Sequence, residues 1–176
     1  MSKARIIFGD GTEFEGSFFS NPSEKSAEVV FNTAMCGYQE ILTDPSYKGQ
    51  FVVMTYPMIG NYGVNDEDQE SHDLYLDGLI VREYVDEISN WRANKTLKTY
   101  LEEHNKIGLT DIDTRALTLY LREFGARTAL VTASDEPTEV LIQKHDLSKN
   151  LEGVCLATEV SCSDMYQWKA PDNEKY

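Results

Sequence analysis

The sequence predicts an α/β domain of mixed α+β character, on three observations. The first half is rich in short runs of branched and aromatic residues, while the second half alternates helical and extended patterns. One run, Phe51 to Tyr56, is apolar without interruption. Strands followed by helix–strand alternation fit a mixed sheet, and an unbroken apolar run fits a strand covered on both faces.

In chain order, residues 4–18 read as a hairpin. Ile6, Ile7 and Phe8 form one strand, Asp10-Gly11 supplies the turn, and Phe14 and Phe18 lie on the return. A polar loop with Asn21, Pro22 and Ser23 leads to Val29, Val30 and Phe31, a β-type run. Gly37 permits a turn, and Tyr38, Ile41 and Leu42 then fall on one face of a short helix. Asp44-Pro45 stops that helix, because proline drives its predecessor out of the α region. The glycines of Ile59-Gly60-Asn61-Tyr62-Gly63 mark a tight loop after the strand at Phe51–Tyr56.

Asn65 to Asp73 is acidic and reads as a solvated loop, since its glycine and glutamate positions do not make an EF-hand. Gly78 to Val81 is the next strand. Asn94 is the expected N-cap of a helix carrying Leu97, Tyr100, Leu101 and His104 along one stripe, with His104 placed to favour the helix dipole. Ile107 to Ile112 is a short strand. Asp113 then caps a helix with Leu117, Tyr120, Leu121 and Phe124, and Gly125 sits where its C′ residue belongs. Leu117, Leu121 and Phe124 are the expected buried face. Arg127 to Ala133 is a further strand, and Pro137 opens a last helix through Ile142. The terminal WKAPDNEKY is polar like a linker, so a main domain over 1–150 and an extension over 151–176 are expected.

Composition narrows the function classes. Hydrophobic content of 41% and charged content of 26% are ordinary for a globular protein with a real core. A formal charge of −14 repels phosphate, so nucleic acid and anionic membrane are not expected partners. No apolar run approaches membrane-spanning length, and Gly9-Asp10-Gly11 leaves no room for a signal-peptide core. Cys36, Cys155 and Cys162 form no C-x-x-C pair. A disulfide framework or zinc site is therefore not expected, and a cytoplasmic location fits.

The chemistry-bearing motifs are few. The chain contains no P-loop, no G-x-G-x-x-G and no G-x-S-x-G. Cys36 beside Gly37 raises a thiol nucleophile, but the three histidines offer it no recognisable base, and a buried inert thiol is the expectation. By its own residues the chain reads as a non-catalytic domain, with no cofactor and no metal.

Four blocks carry a resemblance: FNTAMCGYQEILTDPSY at 31–47, TYPMIGNYG at 55–63, DIDTRALTLYLREFGA at 111–126 and LATEVSCSDMYQW at 156–168. In that order, over nearly the whole chain, they resemble the N-terminal domain of the small chain of glutamine-dependent carbamoyl-phosphate synthase. The resemblance implies a three-layer β/β/α domain. It also implies a following class I glutamine amidotransferase domain with a cysteine-histidine-glutamate triad, beyond Tyr176. The implied holoenzyme is a ligase that hydrolyses glutamine on the small chain and passes ammonia to a large chain. That large chain uses ATP, with magnesium, and bicarbonate to make carbamoyl phosphate for arginine and pyrimidine synthesis.

The implied role of this domain is to dock the large chain and support the amidotransferase domain, and the fragment alone is expected to be inactive. Ser46, in the DPSY run, is implied as a glutamine-binding residue, while its residue type alone reads as a turn hydroxyl. Cys36, Met58, Thr128-Ala129 and Cys155 depart from the family's usual residues. A free-standing interaction module of the same fold remains the other reading, and a cysteine hydrolase using Cys36 a third.

Overall fold

A computed structural model of the protein describes residues 2–147, 153–162 and 164–167. The boundary expected at 150/151, Trp168 of the last block and the linker-like tail lie outside the described residues.

The hairpin forms as expected. β1 (Ser2–Phe8) and β2 (Glu13–Ser20) pair antiparallel, with Ile6 opposite Phe14. β3 (Lys25–Asn32) leads through α1 (Tyr38–Thr43) and a 3₁₀ turn, Pro45–Tyr47, into β4 (Gln50–Met54). That crossover makes β3 and β4 parallel, with Val30 opposite Val52. Phe51 to Met54 are fully buried, which explains why that stretch shows no polar alternation. A long excursion holds β5 (Met58–Ile59) and returns as β6 (Gly78–Ile80), followed by β7 (Glu83–Tyr84) and α2 (Leu97–Glu103). β8 (Ile107–Thr110), α3 (Thr114–Phe124), β9 (Arg127–Thr132), α4 (Thr138–Lys144) and a short α5 (Ala157–Val160) follow among the described residues.

The sheet closes on itself in the order β1-β2-β8-β6-β4-β3-β9, and β5 with β7 forms a separate two-stranded ribbon. β3, β4, β6 and β8 run parallel to one another in sequence around the barrel; β2 and β9 meet their neighbours antiparallel. The interior is filled by alternate residues, among them Ile6, Phe8, Val29, Phe51, Val53, Leu109 and Val131. Their strand neighbours face outward under helices: Val52, Met54 and Leu79 pack with α1 and α2, and Ile7 and Leu130 pack with α4. Leu117 and Leu121 join the interior cluster, so α3 closes the barrel at the C-terminal ends of its parallel strands.

Three local expectations are corrected. Phe124 is 47% exposed rather than buried. It is the last residue of α3, where the helix has run past the barrel, and its ring lies against Tyr120 and under the Arg127 guanidinium instead. Thr96, not Asn94, caps α2, accepting from the Thr99 amide at 3.1 Å. Asn94 is held two residues earlier by its amide on Val64 and its side chain on Asp66. Cys36 is exposed, not buried. Gly37 takes φ +84°, and this left-handed bend leaves Met35 and Cys36 outside while Tyr38 enters the core.

Candidate functional site

The turn that carries Ser46 is built locally. Asp44 accepts from the Ser46 amide through its side chain at 2.8 Å and from the Tyr47 amide through its carbonyl at 3.2 Å. Pro45 fixes the first turn position, and the Lys48 amide closes on the Pro45 carbonyl at 3.1 Å. Tyr47 anchors the turn against β3 by accepting from Asn32 Nδ2 at 2.9 Å. Ser46 itself is exposed, and its hydroxyl has no hydrogen-bond partner among the described residues. A rigid turn therefore presents a free donor and acceptor outward.

Two residues on, Lys48 stands 3.6 Å from Glu159 of α5 and 5.9 Å from the centre of the Tyr75 ring. The residue that directly follows the first block thus meets the last block two positions from Ser46. Lys106 is near the same place: burial lowers its pKa, opposed by the attraction of Asp77, with Lys48 and Lys25 adding to the lowering.

The first and second blocks are locked together more firmly. The Tyr62 hydroxyl accepts from the Gly37 amide at 2.7 Å and from the Tyr38 amide at 3.0 Å. Tyr38 in turn donates its hydroxyl to the Gly63 carbonyl at 2.7 Å. Burial pushes both phenols above the usual tyrosine pKa, so they stay neutral and keep these roles. Gln39 adds a pair of bonds to the backbone of Asn65, its Oε1 accepting from the Asn65 amide and its Nε2 donating to the Asn65 carbonyl. The expected acidic loop is thus ordered at its start, where Asn65 Oδ1 also accepts from the Glu67 and Asp68 amides.

The third block begins at the opposite end of β4. Asp113 caps α3 by accepting from the Ala116 amide at 2.9 Å, as its sequence position implies. Thr55, Thr114, Arg115, Thr118, Leu119 and Arg122 line a shallow surface cavity there. Among the described residues no hydrogen bond or ion pair joins Cys36 to a base: His104 is bound to the Tyr100 carbonyl at the end of α2, His145 pairs with Glu24 at 3.2 Å, and His72 meets the edge of Tyr75. Among the described residues, no three His, Cys, Asp or Glu side chains gather as a metal site requires. No helix of the described residues is long and apolar enough to cross a membrane.

The reading from residues alone missed the Tyr38–Tyr62 lock. Its signal was present in Asn61-Tyr62-Gly63, a large aromatic held between a tight loop's glycines.

Comparison with known proteins bears directly on these blocks. The sequence model of "Carbamoyl-phosphate synthase small chain, CPSase domain" matches residues 6–131. Among curated relatives, the carbamoyl phosphate synthase small chain of Aquifex aeolicus is 48% identical over 98% of this chain and 47% of its own length. That of Syntrophotalea carbinolica is 46% identical over 94% of this chain and 44% of its own. That of Escherichia coli K12 is 44% identical over 96% and 44%. The chain spans about half the length of the curated relatives it matches. A solved aminopeptidase from Aneurinibacillus sp. strain AM-1 aligns at TM-score 0.39 and 16% identity over 75% of this chain and 30% of its own, too remote to carry fold or function. The match over residues 6–131 places this chain in the carbamoyl-phosphate synthase small chain family, as its CPSase domain.

Proposed function

We propose that this chain serves as the N-terminal domain of the glutaminase subunit of a glutamine-dependent carbamoyl-phosphate synthase. In that role it docks a large subunit and supports a following amidotransferase domain. The amidotransferase domain hydrolyses glutamine and the ammonia passes to the large subunit. There ATP, with magnesium, and bicarbonate are used to make carbamoyl phosphate for arginine and pyrimidine synthesis. The observation that carries this reading is the family match over residues 6–131.

The division at 150/151, the cytoplasmic location and the lack of activity in this fragment belong to the same proposal. So does a three-layer β/β/α description of the fold. No supported nucleophile and no phosphate-cradling loop occurs among the described residues, so chemistry is assigned to the other parts of the holoenzyme.

Ser46 contributes to glutamine binding. Its support is the free outward hydroxyl on a braced turn, beside the α5 segment that leads toward the C-terminus. A hydroxyl that both donates and accepts suits the ammonium and carboxylate end of an amino acid.

The test is reconstitution. The full-length small chain, mixed with its large chain, ATP, magnesium, bicarbonate and glutamine, is expected to form carbamoyl phosphate. The small chain lacking residues 1–150 is expected to lose association and glutamine-dependent synthesis. Normal association without this domain would leave it a free-standing module.

A further inference from the structure

In a chain of net charge −14, nine of the thirteen described lysines and arginines are matched by a nearby carboxylate. Lys3, Arg5, Lys25, Lys48, Arg92, Lys95, Lys98, Arg127 and Lys144 all form ion pairs. Arg82, Lys106, Arg115 and Arg122 do not, among the described residues. Lys106 is half-buried at the start of β8. The three arginines are exposed, and the topology brings them to one place.

Arg82 follows β6, and its carbonyl accepts the Asp111 amide at the end of β8. Arg115 and Arg122 lie on the outer face of α3, across the same end of the barrel. The segment leaving β4 joins them. Thr55 lines the cavity beside Arg115 and Arg122, and Met58 pairs with Glu83, next to Arg82. Between and beside the arginines, Tyr56 is 40% exposed, Met58 42% and Leu119 50%.

We infer that this end of the barrel, Arg82, Arg115 and Arg122 around Tyr56, Met58 and Leu119, is the surface that seats the large subunit. The seat on that partner is one of carboxylates around an apolar centre. The inference rests on the docking reading above and gives it a location. Arginine, tyrosine and methionine are enriched at the core of protein interfaces, where a planar guanidinium can take a carboxylate with paired hydrogen bonds. Elsewhere among the described residues every lysine and arginine except the half-buried Lys106 is already ion-paired; here three exposed arginines are kept available. Glu83, Asp111 and Asp113 share this end without pairing with the arginines, and Asp113 is engaged as the α3 cap. The Ser46 turn feeds the opposite, N-terminal end of β4, which leaves this end clear of the glutamine-binding side.

The experiment uses the full-length small chain and its large chain, with affinity measured by titration at low and high salt. Arg115→Glu combined with Arg122→Glu is expected to weaken binding at least tenfold and to flatten its salt dependence. Leu119→Ser, which leaves charge untouched, is expected to weaken it several-fold at either salt. Lys144→Glu, on α4, is the control and is expected to bind as wild type. All four proteins are first required to share one unfolding midpoint. Wild-type affinity in the double variant and in Leu119→Ser would overturn the location while leaving docking itself intact. Failure of the wild-type chain to bind the large chain would overturn both. A double variant that binds the large chain normally but loses glutamine-dependent synthesis would reassign this face to the amidotransferase domain.

Discussion

The ring of Tyr38 lies flat on that of Tyr62, with centroids 4.1 Å apart and planes within 15° of parallel. The Tyr62 hydroxyl takes both amides at the head of α1, so one side chain from the loop after β5 sets where α1 begins. Tyr62→Phe keeps the stack and removes that acceptor. Two amides then lose their partner, at a cost of about 1–3 kcal/mol. Denaturant titration of the two proteins checks this; equal midpoints would show that water replaces the hydroxyl without loss.

The face of α3 gives a paired test. Leu121 is buried in the barrel interior, and Leu121→Ala is expected to cost about 2–5 kcal/mol through the cavity it opens. Phe124, half-exposed against Tyr120 and Arg127 at the helix end, should cost less than ~1 kcal/mol on truncation. Both values come from the same unfolding measurement. A Phe124→Ala loss as large as that of Leu121→Ala would return Phe124 to the core.

What was legible in the sequence follows from how local each feature is. The hairpin, the unbroken Phe51–Tyr56 run and the Asp113 cap depend on residues a few positions apart, and each is found near its expected place. Phe124 keeps the correct helical spacing; it is exposed because the barrel ends beneath it, which spacing does not encode. The burial expected for Cys36 follows from its residue type, but the backbone at Gly37 decides against it. The arginine end depends on sheet closure, which brings residues 55, 82 and 115 together from distant parts of the chain. Ser46 shows the converse: its turn was legible from Asp44-Pro45, whereas the role with glutamine proposed for it came only from the family resemblance.

Arg5 and Glu13 offer a pH test. The Arg5 guanidinium is buried, gives Nε and Nη2 to the Glu13 carboxylate, and also holds the carbonyls of Ser134 and Glu136 before α4. Hydrogen bonding from Arg5 keeps the Glu13 carboxyl below the usual glutamate range, against the opposing effect of its burial. A depressed folded-state value means the stabilisation is fully present above the unfolded pKa and disappears as pH falls through the folded one. Glu13→Gln is therefore expected to cost on the order of 1–3 kcal/mol at neutral pH and to match wild type at low pH. Thermal midpoints across the acid range measure this; parallel curves would mean the pair adds nothing that depends on ionisation.

Ser46 is expected to meet glutamine only in the complete small chain. Its hydroxyl is exposed and fixed by the Asp44 bond and the Tyr47–Asn32 contact, so the turn does not need to rearrange to use it. One neutral hydrogen bond contributes about 0.5–1.5 kcal/mol net, too little to hold glutamine on this domain alone. The rest of the binding must come from a facing surface, and Glu159 of α5 already lies 3.6 Å from Lys48, two residues from Ser46. In the full-length protein with its large chain, Ser46→Ala should raise the KM for glutamine by about two- to tenfold, the equivalent of that one bond. Synthesis driven by added ammonia should be unchanged, since that route bypasses the glutamine site. A loss of both activities would mean the substitution disturbs assembly. An unchanged KM, with the unfolding midpoint intact, would reduce Ser46 to a residue of the turn.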